Sequence, residues 1–244
     1  MGVSMGTLDI RIISEQTGGN LRENETIINH LVEDGLTSKI LDSALDGTPL
    51  IYMGKGSPRI MMTAGIHGNE LSPQIAALLT IQKLEEKKIN GSVYIIPFAI
   101  PYATMKSTRR FKGFDMNRSA FKDGYLSNEI IKVAKDLKLD SLADFHATKP
   151  YSNPGIESIF CSKKPTPESF KIAEYINKTN KSKIICHKNA GTLYKGALED
   201  ECNLSGIPAV TCEVVSHNNK VDPGSHERSF LQMKAFLSYF GMEL

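Results

Sequence analysis

The chain has 244 residues, 41% of them hydrophobic and 23% charged, with a net charge of +2; that balance argues against a nucleic-acid or anionic-membrane binder. The longest apolar run, VYIIPFAIP, is too short to span a bilayer, and the N-terminal MGVSMGTLDIRIIS lacks the basic-then-apolar order of a signal peptide. Four cysteines, at 161, 186, 202 and 212, form no CxxC pair, so a zinc knuckle is not expected and a cytoplasmic protein with reduced thiols is.

In chain order, residues 24–36 read as a short helix capped by Asn24, with Ile28, Leu31 and Val32 on one face. Segments 38–45 and 48–54 read as strands joined at DGT, and RIMMTAG as a buried strand. A helix over 72–88 is opened by Ser72 as cap and Pro73 at its first position, and GSVYIIPFA is the next buried strand. Further elements are a helix over 127–138, a strand over 139–145, and a helix over 166–179 with Thr166 as cap before Pro167. KIIC is a strand, 194–205 a helix, PAVTCEV a strand, and 223–240 a closing helix. Short apolar strands alternating with helices predict an α/β three-layer sandwich: a mixed, largely parallel central sheet flanked by helices. No linker interrupts the pattern, so one domain over 1–244 is expected. In such sheets chemistry collects in loops beyond the carboxyl ends of the strands.

His67 and Glu70 lie in such a loop, in MTAGIHGNEL. Spaced i and i+3, they face the same way if a helical turn begins there, and an imidazole with a carboxylate suits zinc. A polar loop that merely contains a histidine is the competing reading. His146, at the close of LADFHAT, is the candidate third ligand. Asp144, two residues earlier on the same strand face, can accept its spare ring N–H; both can equally be strand-end polar residues. His30 is read as mid-helix, His187 as a strand end without a carboxylate, and His217 and His226 as loop residues. Glu213 stands inside the apolar strand IPAVTCEVVS, where burial raises a carboxyl toward the range of a general base. Its alternative is a strand-end residue facing solvent. Of only seven arginines, Arg109, Arg110 and Arg118 fall within ten residues, a cluster suited to binding anions.

AGIHGNE, RRFKGFDMNRSAF, DFHAT and GIPAVTCEV, in that order, resemble the motifs of the zinc carboxypeptidase superfamily. The nearest likeness is its succinylglutamate desuccinylase/aspartoacylase branch. The resemblance implies one zinc ion held by His67, Glu70 and His146, the ligand types known from carboxypeptidase A. It implies Glu213 as base and then proton donor to the leaving amine. Asn117 and Arg118 are implied to grip a substrate carboxylate, and Arg110 to polarise the scissile carbonyl. Tyr194 stands where a mobile tyrosine can cover the site, though a helix-start tyrosine fits as well. Only 31 residues follow Glu213, so no C-terminal β domain of the aspartoacylase kind is expected. In that respect the architecture is more like the murein-peptide amidases.

The expected activity is zinc-dependent hydrolysis of an amide bond next to a free carboxylate, in an N-acyl amino acid or a peptide. Ester hydrolysis at the same site is one alternative, and a non-catalytic carboxylate-binding zinc protein is another. A serine hydrolase is disfavoured because no GxSxG elbow is present.

Overall fold

In a computed structural model of the protein, residues 8–32 and 34–244 are described. Residues 1–7 of the N-terminal segment read for a signal peptide, and residue 33 of the first predicted helix, lie outside them. The elements run β1 (Asp9–Ile12), α1 (Glu25–Ile28), α2 (Gly35–Asp46), β2 (Pro49–Lys55), β3 (Arg59–Ala64), α3 (Leu71–Glu85), β4 (Gly91–Ile96) and α4 (Pro101–Met105). Then follow α5 (Leu126–Asp136), β5 (Ser141–Thr148), β6 (Ser158–Ser162), α6 (Glu168–Asn180), β7 (Lys183–His187), α7 (Leu198–Leu204), β8 (Ala209–Val215) and α8 (Ser225–Tyr239). Among the described residues, no helix is long and apolar enough to cross a membrane.

The strands form one sheet in the order β1-β2-β4-β3-β5-β8-β6-β7. The run β4-β3-β5-β8 is parallel throughout, while β1, β2 and the β8–β6 pairing are antiparallel, giving the mixed sheet expected. Strand period two divides the core between the faces. Ile60, Met62, Val93, Ile95, Phe145 and Cys212 pack under α2, α3, α6 and α8, whereas Met61, Ile96, Leu142 and Ala209 pack under α4, α5 and α7. Each fully buried Ile, Leu, Met or Phe contributes about 1.5–3 kcal/mol. The same alternation sends Thr63, Asp144, His146, Thr211 and Glu213 to the α5/α7 side.

Several predicted elements differ. Residues 38–45 are helical: Asp34 caps α2 by accepting from Thr37 N at 2.7 Å, and Leu36, Ile40, Leu41 and Ala44 are buried at helical spacing. The predicted 24–36 helix is only the single turn Glu25–Ile28, capped by Asn24 Oδ1 at Ile27 N (3.1 Å), and Gly35 already belongs to α2. Helix α3 begins at Leu71 with Glu70 in the cap position, and the Ser72 hydroxyl pairs with Ser225 instead of capping. Thr166 does not cap α6 either, since its hydroxyl bonds Asn203. β6 was not foreseen, and α7 spans only Leu198–Leu204.

Candidate active site

The loop after β3 carries two of the convergent groups. Gly65 takes φ +81°, and Gly68 lies so close to α4 that an added Cβ would sit 2.1 Å from the carbonyl carbon of Ala103. This tight turn brings His67 and Glu70 under the carboxyl end of the sheet. A backbone bond from Glu70 N to His67 O (3.2 Å) and a side-chain bond from Gln74 Nε2 to Glu70 O (2.9 Å) fix it. β5 delivers His146, and the parallel β5–β8 register sets Glu213 directly beside it.

Both imidazoles turn Nδ1 onto Glu70. His67 Nδ1 lies 2.8 Å from Oε1 and His146 Nδ1 lies 2.8 Å from Oε2. Each Nε2 faces another carboxylate: Asp115 Oδ1 at 2.9 Å for His67, and Asp144 Oδ2 at 2.7 Å for His146. Asp144 is in turn held by the Thr63 hydroxyl at 2.6 Å. His67, Glu70 and His146 are 2%, 4% and 2% exposed, and one potential ligand atom from each lies within 4.8 Å of the others. This donor set fits a zinc ion. With each Nε2 turned to an outer carboxylate, a cation between the Nδ1 atoms would meet two imidazole nitrogens and a carboxylate oxygen.

The electrostatics follow from proximity. Burial pushes the Glu70 carboxyl up, but the two histidines outweigh it and hold Glu70 well below the carboxylate range. Burial pushes His146 down, and Asp144 and Glu70 reverse this, raising it well above the ordinary imidazole value. Asp115 is likewise lowered, burial being overcome by His67 and Arg109. Glu213 moves the other way: burial and the Glu70 charge push it up to about 7. Its Oε2 is buried without a hydrogen-bond partner.

Of these groups, His67, Glu70 and Glu213 line a cavity of about 330 Å³. Asn117 and Arg118 reach it from the 3₁₀ turn Met116–Arg118. Asn117 Oδ1 accepts from Leu198 N at 3.0 Å, and Arg118 lies over the Tyr194 ring at 5.2 Å, with Tyr194 in the loop before α7. Arg110 is not brought in. It is exposed and folds back onto the turn that closes the Phe111–Phe114 bridge, donating to Gly113 O at 3.3 Å. Its neighbour Arg109 faces the cavity and donates to Glu70 Oε1 at 2.9 Å. His217 pairs with Asp222 at 2.7 Å and His226 lies near Glu227, both away from the cluster.

Two contributors escaped sequence reasoning. Asp115 supports His67, and the signal was available: an aspartate two residues before Asn117 can cap its N–H, which Asp115 Oδ1 does at 3.0 Å. Glu199, buried on α7, lines the same cavity, but nothing in its local sequence marks it.

No curated protein sequence matches the chain. Similar solved structures include an aspartoacylase family protein from Mesorhizobium loti, with 20% identity, TM-score 0.62, and coverage of 80% of this chain and 62% of that one. The product-bound ectoine utilization protein EutE (DoeB) from Ruegeria pomeroyi gives 16% identity, TM-score 0.64, and 83% and 64% coverage. The tripeptide-bound cell shape determinant Csd4 from Helicobacter pylori gives 13% identity, TM-score 0.62, and 80% and 56% coverage. The chain therefore spans less than two thirds of the length of these structures. The model of the succinylglutamate desuccinylase/aspartoacylase catalytic domain matches residues 56–237, and with that match over most of its length the chain belongs to this family.

Proposed function

We propose that the protein is a zinc-dependent hydrolase that cleaves an amide bond next to a free carboxylate, in an N-acyl amino acid or a peptide. The observation that carries this reading is one arrangement. Two imidazole Nδ1 atoms and the Glu70 carboxylate converge, while Glu213 faces the same cavity with a buried, unpartnered oxygen. A zinc ion held by His67, Glu70 and His146 supplies Lewis acidity and lowers the pKa of water.

The remaining roles fall to the chain itself. Glu213, raised to about 7, takes the proton from the attacking water and returns it to the leaving amine. Arg118 and Asn117 hold the substrate carboxylate, in keeping with their place at the cavity. Arg109 meets the negative charge developing at the carbonyl oxygen, a role expected of Arg110 and supported for Arg109 by its contact with Glu70 at the cavity. Tyr194, beside Arg118, is placed to cover bound substrate. Similarity to a tripeptide-bound structure supports a substrate of small-peptide size. Asp144 and Asp115 orient the ligand histidines. One catalytic domain over 1–244, working in the cytoplasm with its four cysteines as thiols, completes the reading.

A hydrolysis screen of the zinc-loaded protein over N-acyl amino acids, dipeptides with free carboxyl termini and murein-type peptides tests it. Turnover abolished by chelator and restored by zinc is the expected result. No turnover anywhere in the panel, or turnover indifferent to chelator, overturns it.

A further inference from the structure

One carboxylate in the cavity has no part in the chemistry above. Glu70 and Glu213 are occupied by the metal and the proton, but Glu199, the second residue of α7, is 3% exposed and lines the same space. Among the described residues, both of its hydrogen bonds go to one oxygen. Ser162 Oγ at 3.3 Å and Asn203 Nδ2 at 2.6 Å donate to Oε1, which leaves Oε2 open. Asn203 is itself fixed, accepting from Ala209 N at 3.0 Å and donating to Ala209 O at 3.0 Å. Glu199 is thus held rigidly on the strand layer and does not wander at the surface.

Its surroundings are wrong for an isolated anion. Burial pushes it up to about 8, and the two charges that weigh most on it, Asp200 and Asp144, are both negative. A buried carboxylate without a counter-charge costs free energy that a ligand cation can recover. Apolar surface lines the same cavity, from Phe160 and Tyr194, whose rings meet edge to face at 5.2 Å, and from Ala197. The carboxylate grip is tied to the same unit, because Leu198 N, next to Glu199, donates to Asn117 Oδ1 at 3.0 Å. Anion grip, apolar wall and buried carboxylate therefore keep a fixed spacing.

We propose that Glu199 determines specificity, and that the cavity takes an amino acid whose side chain ends in an ammonium group. Such a substrate is an N-acyl or peptidyl derivative of lysine, ornithine or a similar diamino acid. Its α-carboxylate lies on Arg118 and Asn117, its methylenes lie along Phe160 and Tyr194, and its ammonium donates to Glu199 Oε2. This rests on the cavity being the hydrolytic site, but the side-chain preference is separable from turnover.

The test compares kcat/KM of the zinc-loaded full chain for N-acetyl-lysine and N-acetyl-norleucine, which differ by the terminal ammonium. Calorimetry with free lysine and norleucine measures recognition independently of hydrolysis. The wild-type chain should prefer the lysine member of each pair by at least about tenfold. Glu199→Gln should abolish that preference by weakening lysine alone, and Glu199→Asp should keep part of it, both with the wild-type melting temperature at pH 7 or above it. Equal handling of lysine and norleucine by the wild type, or an equal loss on both in Glu199→Gln, overturns the proposal. Preferential lysine binding without any hydrolysis sinks the hydrolase reading and leaves the assignment of Glu199 standing.

Discussion

Glu213 lies beside His146 across the β5–β8 ladder, on the same face of the sheet and one strand apart. Parallel pairing makes that neighbourhood independent of side-chain flexibility: a base on β8 is delivered to a ligand on β5 by backbone register alone. Glu213→Gln keeps the shape and removes the proton acceptor, so bound zinc and melting temperature should hold. Turnover should fall by about 10²–10⁴-fold. Wild-type turnover in this variant would eliminate Glu213 as the base.

The Asp115–His67 bond gives a second prediction. A carboxylate on the far nitrogen fixes ring orientation and raises ligand basicity, which is typically worth about 10–100-fold in metal affinity. Asp115→Asn should weaken zinc binding by that amount, measured by competition with a chelator, and His146→Ala should weaken it further. If Asp115→Asn binds zinc as the wild type does, Asp115 only caps its own turn.

Much of this site was legible because strand chemistry is local. His146, Asp144 and Glu213 stand out as polar residues within apolar runs, and period two puts Asp144 and His146 on one face without further information. The 38–45 segment was misread because the DGT turn signal suggested a hairpin with 48–54, while the helical set Leu36, Ile40, Leu41 and Ala44 follows the Asp34 cap. Glu199 was not legible at all. In LEDECNL it is one acid among three, and only the packing of α7 on β5, β6 and β8 buries it.

Arg109 and Arg110 can be told apart by paired substitutions. Arg109 donates to Glu70 Oε1, whereas Arg110 bends back to Gly113 O. Arg109→Ala should cost about 10²–10³-fold in kcat if its charge stabilises the developing oxyanion. Arg110→Ala should stay within about threefold of wild type, as expected for an exposed residue. The reverse ranking would return the role to Arg110.

The raised carboxyl of Glu199 makes a stability prediction with a definite sign. Its folded value, about 8, stands above the unfolded value of about 4.3, so between them the folded state binds the extra proton. This contribution is complete below about pH 4.3, falls as pH rises, and is gone above about pH 8. Glu199→Gln keeps a neutral group of the same shape and has no such slope. With chelator present in both samples, the variant should gain on the wild type from pH 5 to about pH 8 and level off by pH 9. The gain should reach the order of a few kcal/mol in chemical denaturation. Parallel stability curves over that range would mean that Glu199 is ionised in the folded protein at every pH, in contact with water or a cation. The same measurement in saturating lysine should shrink the gap, because an ammonium on Oε2 stabilises the ionised carboxylate that the variant lacks.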